Sequence, residues 1–351
     1  MKRFVLFCWF GLLSAVAAAA PIAAIDSLQL PAWLDRGGLS VPAVSGTELQ
    51  SGDMVRTGRG ARMFLRLSEG SVVKLGENAQ FAIEAAEKKP KIYEAALSVL
   101  NGAFRFTTNA LAKAQPRDIR FKLASNATIG IRGTDLWGRG NADKDIVCLI
   151  EGKIDITGND GKTNRLDQPL QFFQSTRKAP PEPITFLDQK ALDVLALETE
   201  LEPGNGATGA GNWKLVIGGF VSRDALISAS RQLRNAGFPA DRRGDAALVI
   251  GRLNGEAEAQ GLSNRLAADF GFKSVTIEQS AISARLTSRR KKRLDRPWCP
   301  AHPSCKRVPI TDVRVFHQIQ HFRRHRSCAT AGACRQCGAH PFVGDRNNVR
   351  G

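Results

Sequence analysis

Apolar and polar residues alternate along much of the first half of the chain, with turn residues between the runs. Ala61, Met63, Leu65 and Leu67 interleave with Arg62, Phe64 and Arg66, and Glu69-Gly70 ends the run. A period of two puts one set of side chains on each face of a strand, so this is a half-buried strand followed by a turn. The alternation returns at Val73 and Leu75, at Phe81 and Ile83, and at Phe104 and Phe106. It is clearest between Ile146 and Leu166, where three strand-like runs are separated by Glu151-Gly152 and by Asn159-Asp160-Gly161. Asp-Gly between alternating runs is a strong hairpin signal. Many short strands at even spacing predict an all-β module over about residues 38–176, built as a sandwich, roll or β-solenoid.

The pattern changes after residue 211. Asn212–Phe220 reads as a strand with Trp213, Leu215 and Ile217 on one face. Ser222 is placed to cap a helix in which Leu226, Ala229, Leu233 and Ala236 keep helical spacing up to Gly237, a natural C′ residue. Two short strands are expected near Phe238–Arg242 and Ala246–Leu253, with the turn at Gly244-Asp245. A second helix from about Asn254 to Phe270 stops at Gly271, and Phe272–Glu278 makes a fourth strand. The order is βαββαβ, a small α+β module over residues 212–278 with helices on one sheet face and the other face open. An open sheet face is a surface on which a polymer can lie.

Residues 177–211 read as a linker. Pro180-Pro181-Glu182-Pro183 ends the β module, and Leu192, Leu195 and Leu201 allow a short helix that packs back on it. Pro203–Gly211 reads as a flexible Gly-rich tether. Its Gly204-x-Gly206-x-x-Gly209 spells a dinucleotide fingerprint but lacks the preceding strand and following helix that would hold a pyrophosphate.

Charge separates the two ends from the middle. Lys2-Arg3, the apolar run Phe4–Val16 and Ala18-Ala19-Ala20 have the form of a signal peptide over residues 1–20, cleaved to leave Pro21 or Ile25 first. The apolar run is too short for a comfortable membrane span, so none is expected after cleavage. The net charge of +17 is concentrated at the other end, where 16 Lys and Arg face 3 Asp and Glu from Arg285 on. All five histidines and five of the seven cysteines also lie there. Cys328, Cys334, Cys337 and His340 could supply zinc ligands, but their spacing is not that of a standard finger. Arg289–Arg293 resembles a nucleic-acid or nuclear signal, which a secretory leader argues against. Residues 285–351 read instead as a disordered basic extension or as frame-shifted translation, with the second preferred. No metal, cofactor or nucleic-acid partner is therefore expected. Cys8 lies in the apolar run of the signal segment, and Cys148, the one cysteine left after cleavage, sits in an apolar run and reads as a core residue.

Catalytic motifs are missing. There is no G-x-S-x-G or H-E-x-x-H, and no histidine precedes His302, so a Ser-His or Cys-His pair would have to draw on the tail. Asp135, Glu151 and Asp155 could form a glycosidase pair only if two carboxyls lay about 5–10 Å apart across a cleft. A non-enzymatic protein is expected.

Two resemblances sharpen these readings. Gly52-Asp53, Glu69-Gly70-Ser71, Ile131-Arg132-Gly133-Thr134-Asp135 and Glu151-Gly152 follow one another as in a FecR domain. That resemblance implies an interaction domain with an unidentified envelope partner. Transmembrane signalling to a sigma factor is not expected, because the leader runs almost directly into the domain. Arg132–Asp135 could offer a ligand an oxygen-rich loop, but a bulge at a strand bend is the preferred reading. The segments LVIGGF, LRNAGFPADRR, ALVIGRL and LSNRLAADFGFKSVTI resemble a SPOR domain. That family binds peptidoglycan glycan strands stripped of stem peptides. On this sequence the glycan face implied by the resemblance is Lys214, Val216, Gly219, Arg242, Arg243, Ala247 and Val249, although Val216, Gly219 and Ala247 stand where the family often has Gln, Ser and Arg. The implied whole is a periplasmic, wall-associated scaffold, at division sites on the SPOR analogy. The alternatives are a peptidoglycan-processing enzyme using β-module carboxylates, or an interaction protein whose SPOR-like sheet no longer binds glycan.

Overall fold

The structure is a computed structural model that describes residues 21–88, 92–108, 116–124, 127–131 and 133–280. The chain divides into two units, Met1–Ser283 and Ala284–Gly351. The expected signal segment, Arg132 and the whole Cys/His-rich tail lie outside the described residues.

The β module starts at β1 (Ala23–Gln29), earlier than the expected boundary at residue 38, and continues with β2 (Ala32–Arg36), β3 (Leu39–Pro42), β4 (Glu48–Leu49) and β5 (Met54–Thr57). Next come β6 (Arg62–Leu67), β7 (Val72–Leu75), β8 (Gln80–Lys88) and the long β9 (Tyr93–Thr107). Then follow β10 (Arg117–Leu123), β11 (Thr128–Ile131), β12 (Asp135–Gly140), β13 (Lys144–Glu151) and β14 (Ile154–Thr157). The module ends with β15 (Thr163–Leu166), β16 (Gln171–Thr176) and β17 (Thr185–Phe186).

Two sheets share β9. Tyr93–Asn101 pairs in the second sheet, ordered β15–β14–β11–β10–β9–β8–β5–β2–β3. Gly102–Thr107 pairs in the first, ordered β16–β13–β12–β9–β7–β6–β1. Every pairing named is antiparallel except β9 with β10. The strand changes sheets at Gly102, whose φ of +96° suits a residue without Cβ; a Cβ there would lie 2.6 Å from Ala79 Cα. This is a curled double sheet, one of the sandwich-or-roll alternatives.

Alternation decides what fills it. Met63, Leu65 and Leu67 are buried while Arg66 is exposed, as their period predicts. At the centre, Phe121 from the second sheet meets Phe104 and Phe106 from the first at ring-centroid distances of 5.4 and 5.1 Å. Such contacts add about 1 kcal/mol to the burial of each ring.

Helix α1 (Gln189–Leu197) begins at Asp188, whose carboxylate accepts from the Lys190 and Ala191 amides. It buries Leu192 beside Trp137, Cys148 and Ala103 on the outer face of the first sheet. The expected tether takes a different form: β18 (Ala207–Ile217) is one continuous strand. Its start pairs with β1, Leu28 opposite Thr208, and Glu258 accepts from the Gly204 and Ala207 amides. Small residues serve close packing here rather than freedom; a Cβ on Gly211 would fall 1.9 Å from Leu253 O.

After β18 come α2 (Arg223–Asn235), β19 (Asp241–Arg243), β20 (Ala247–Leu253), α3 (Glu256–Phe270) and β21 (Val275–Gln279). The order is βαββαβ and the sheet runs β21–β18–β20–β19, all antiparallel. Ser222 Oγ accepts from the Ala225 amide as the cap of α2. Gly237 follows that helix at φ +82° and lies against Trp33, where a Cβ would come within 2.8 Å of the indole. Trp33 Nε1 donates to Asn235 O, and Arg265 donates to Leu30 O at 2.8 Å. The two modules are therefore joined by backbone pairing, a packed tryptophan and side-chain bonds.

Candidate functional site

Motif residues of the β module are turned inward. Asp53 is 2% exposed; its carboxylate accepts two bonds from Arg36, at 2.6 and 2.7 Å, and one from the Gln50 amide. Glu69 folds back to accept from the Ser71 amide at 3.0 Å. Gly52, Gly70 and Gly133 take φ values of +85°, +99° and +67° at their turns. Thr134 is buried; its hydroxyl donates to Lys153 O and its amide donates to Thr108 Oγ1. Asp135 is held by both arms of Arg105, at 3.0 and 2.8 Å. The Gly133–Asp135 segment thus joins neighbouring strands through these bonds, and Arg132 lies outside the described residues. The carboxylates considered for catalysis are also committed: Asp135 to Arg105 and Asp155 to Arg165, with Glu151 exposed at a strand end.

A feature with no motif crosses the outer face of the first sheet. Glu198, Glu200 and Glu202 alternate after α1 and reach basic residues on four adjacent strands. Glu198 pairs with Arg139, Glu200 with Lys74 at 2.6 Å and Arg105 at 3.5 Å, and Glu202 with Arg62 at 3.4 Å. Lys74 and Arg105 stand directly opposite each other, and Glu200 offsets their repulsion. The period-two spacing of glutamates was the sequence signal for this strap.

The open face belongs to the C-terminal module. Leu215, Ile217, Leu248 and Ile250 are fully buried under α2 and α3, so their neighbours along each strand face the other way. Register sets Asp241, Val249, Val216 and Thr276 in one row, with Arg243 opposite Ala247 and Lys214 opposite Glu278. Five of the seven expected residues, Lys214, Val216, Arg243, Ala247 and Val249, therefore share a face. Arg242 does not: it pairs with buried Leu248 and so points to the helix side of an edge strand. Gly219 does not either, since it lies beyond the end of β18 in the loop beside Ser274.

Glu278 completes this face and was not anticipated, although the alternation Thr276, Glu278 against Val275, Ile277 carries the signal. Its carboxylate takes Lys214 Nζ at 3.1 Å and Arg243 Nη1 at 3.1 Å. The Lys214 bond, outweighing slight burial and aided by Arg243, holds its pKa below the ordinary carboxylate value. The result is an apolar strip of Val216, Val249 and Ala247 with a cation–carboxylate–cation group beside it. Among the described residues no cluster of three His, Cys, Asp or Glu could hold a metal ion, and no helix is long and apolar enough to cross a membrane.

Residues 53–155 match the family described as FecR protein. The match identifies a FecR domain within the chain, running from buried Asp53 to the middle of β14. No curated protein matches the chain. Two crystal structures of a Parabacteroides distasonis protein, provisionally assigned as an anti-sigma factor, align with 65% of this chain and 99% of theirs. Identity is 13% and the TM-score 0.34, a distant likeness.

Proposed function

We propose that this is an exported, non-enzymatic protein of the cell envelope. Its C-terminal module acts as a SPOR domain that lays stem-peptide-free glycan strands of peptidoglycan on the open sheet face, and its FecR domain holds a second envelope protein. One observation carries the glycan reading: Val216, Val249 and Ala247 form an apolar strip on an uncovered sheet, suited to the faces of sugar rings, with Lys214 and Arg243 at its side. The periplasm, and division sites within it, are where such strands are met. Cleavage after Ala20 rather than Ala24 fits the fold, because Ala23 and Ile25 are buried partners of β6. Recovery of a mature N-terminus at Pro21 tests export, and an intact Met1 in the cytoplasm overturns it.

The glycan reading is tested by co-sedimentation of the full chain with purified sacculi. The isolated piece 205–284 is a poor reagent, since β18 pairs with β1. Binding that Val216→Glu abolishes supports the reading; equal retention of both proteins, or of neither, overturns it. Release of muropeptides would instead indicate an enzyme. The Lys214–Glu278–Arg243 pairing favours a second reading, an interaction face that has given up glycan, because it occupies the two cations a glycan would use.

A further inference from the structure

Where β9 passes from the second sheet to the first, a cavity of about 340 Å³ opens beside the bend at Gly102. Its walls bring together residues far apart in sequence: Asn78, Asn101 and Asn141, with Arg62, Arg139, Glu77 and Glu198. None of them belongs to the FecR motifs or to the open face of the C-terminal module.

The groups are held in place by one side and spare on the other. Asn101 Nδ2 donates to Asn78 O at 2.7 Å, leaving its Oδ1 without a partner among the described residues. Asn141 Oδ1 accepts from the Asp143 and Lys144 amides, both at 2.9 Å, leaving its Nδ2 spare. Glu77 Oε2 accepts from the Gly60 amide, leaving Oε1. Arg139 is fixed by Glu198 and by stacking on Trp137 at 5.4 Å. Arg62 is only 8% exposed, and its Nε has no hydrogen-bond partner among the described residues. Asn78 sits at φ +51°, a left-handed conformation that costs a non-glycine residue free energy and that clusters at ligand sites.

The chemistry of this wall selects its ligand. Two guanidinium groups face two carboxylates, so neither an anion nor a cation finds a net attraction. Spare carboxamide N–H groups lie among spare carboxamide and carboxylate oxygens, the mixture that neighbouring hydroxyls satisfy because each both donates and accepts. The volume is at the lower end of the roughly 300–1,000 Å³ usual for ligand pockets, enough for a single ring and not for a chain. We propose that this cavity binds one unit of a neutral saccharide. The assignment is independent of the glycan face on the other module.

The probe is N-acetylglucosamine, with glucose as a second sugar and inorganic phosphate as the contrast, each titrated to millimolar concentration into the isotope-labelled full chain. The side-chain amide resonances of Asn78, Asn101 and Asn141 should move saturably with at least one sugar. Asn78→Gly removes the amide while placing at φ +51° the residue that adopts it without cost, so it should fold at least as stably and weaken binding about tenfold. Lys214→Ala, on the other module, should leave the titration unchanged. Three results overturn the proposal: no saturable shift with either sugar, shifts with phosphate alone, or an Asn78→Gly protein that titrates like the original.

Discussion

The two modules use their polar residues in opposite ways. In the FecR domain the motif side chains point into the fold, where Asp53 fixes a turn through Arg36 and Thr134 ties two strands together. In the C-terminal module the buried residues are almost all apolar, and the charged ones gather on a sheet face that no helix covers. A recurring motif can therefore record a folding requirement, whereas the surface open to a partner is written in the ordinary alternation of a strand. Substitutions in the first group should act on stability, and those in the second on binding.

The largest expected effect is in the β core. Phe121 touches Phe81, Phe104 and Phe106 from both sheets, and Phe121→Ala leaves a void at the point where the sheets meet. A loss of about 3–5 kcal/mol is expected in denaturant unfolding. Because β1 and β18 are paired, both modules should unfold in the same transition; a C-terminal module that melts separately in this variant would show that the contrast extends to two independent folds.

Gly237→Val probes that joint directly. The new side chain would meet the Trp33 ring and force φ +82° on a β-branched residue, costing roughly 3 kcal/mol. Calorimetry should show the single transition of the original chain splitting in two. An unchanged trace would mean that Trp33 does not couple the modules.

How much of this was legible follows from the same contrast. Period-two runs placed strands at β6, β9 and β13–β15 because each has one face in a core and the other outside it. The βαββαβ order was readable because Ser222, Gly237 and Gly271 mark helix ends through local backbone chemistry. Residues 203–211 misled, since small residues read as freedom when nothing in sequence reveals the strand or helix packed against them. The opening strands β1 and β2 were missed for a related reason: Ala23–Gln29 is buried at five of its seven positions and shows little alternation. Arg242 was assigned to the wrong face because a one-residue error in register reverses every side chain. The strap of Glu198, Glu200 and Glu202 joins residues 59 to 140 positions apart, and the cavity at Gly102 gathers residues from Arg62 to Glu198.

Tyr93 is the chain's one tyrosine and is 1% exposed, which makes the β core titratable by absorbance alone. Burial, reinforced by the nearby Glu69 charge, pushes its pKa up to about 12. A raised value means the folded state holds the proton more tightly, so the contribution is complete below the ordinary value near 10 and is lost as pH climbs through about 12. Ionisation should be seen near 12 in the native protein and near 10 in denaturant. A native midpoint near 10 would place the ring in water.

A paired experiment separates folding residues from binding residues. Asp53→Asn removes the charge that Arg36 neutralises inside a turn and should cost about 2 kcal/mol, while sacculus binding at low temperature is retained. Val216→Glu should do the reverse, leaving the melting temperature nearly unchanged and abolishing retention. If Asp53→Asn loses binding while still folded, the β module itself contacts the wall.

The smallest effect on stability, and the finest test of the open face, comes from Glu278→Gln. Lys214 and Arg243 both end on this carboxylate, which lowers its pKa, so its small contribution is present above the ordinary carboxylate range and fades as pH falls through and below it. The pair is exposed, so thermal scans of the variant at neutral pH should nearly superimpose on those of the original chain. Binding should respond more. With the carboxylate neutral, both cations are released toward the apolar strip, and sacculus retention should rise. Acidifying the original chain to below the ordinary carboxylate range, where Glu278 takes up its proton, should produce the same rise, and should produce none in the Gln variant. Weaker retention in Glu278→Gln would mean that the carboxylate itself contacts the ligand, and that the open face recognises a partner through Glu278 rather than in spite of it.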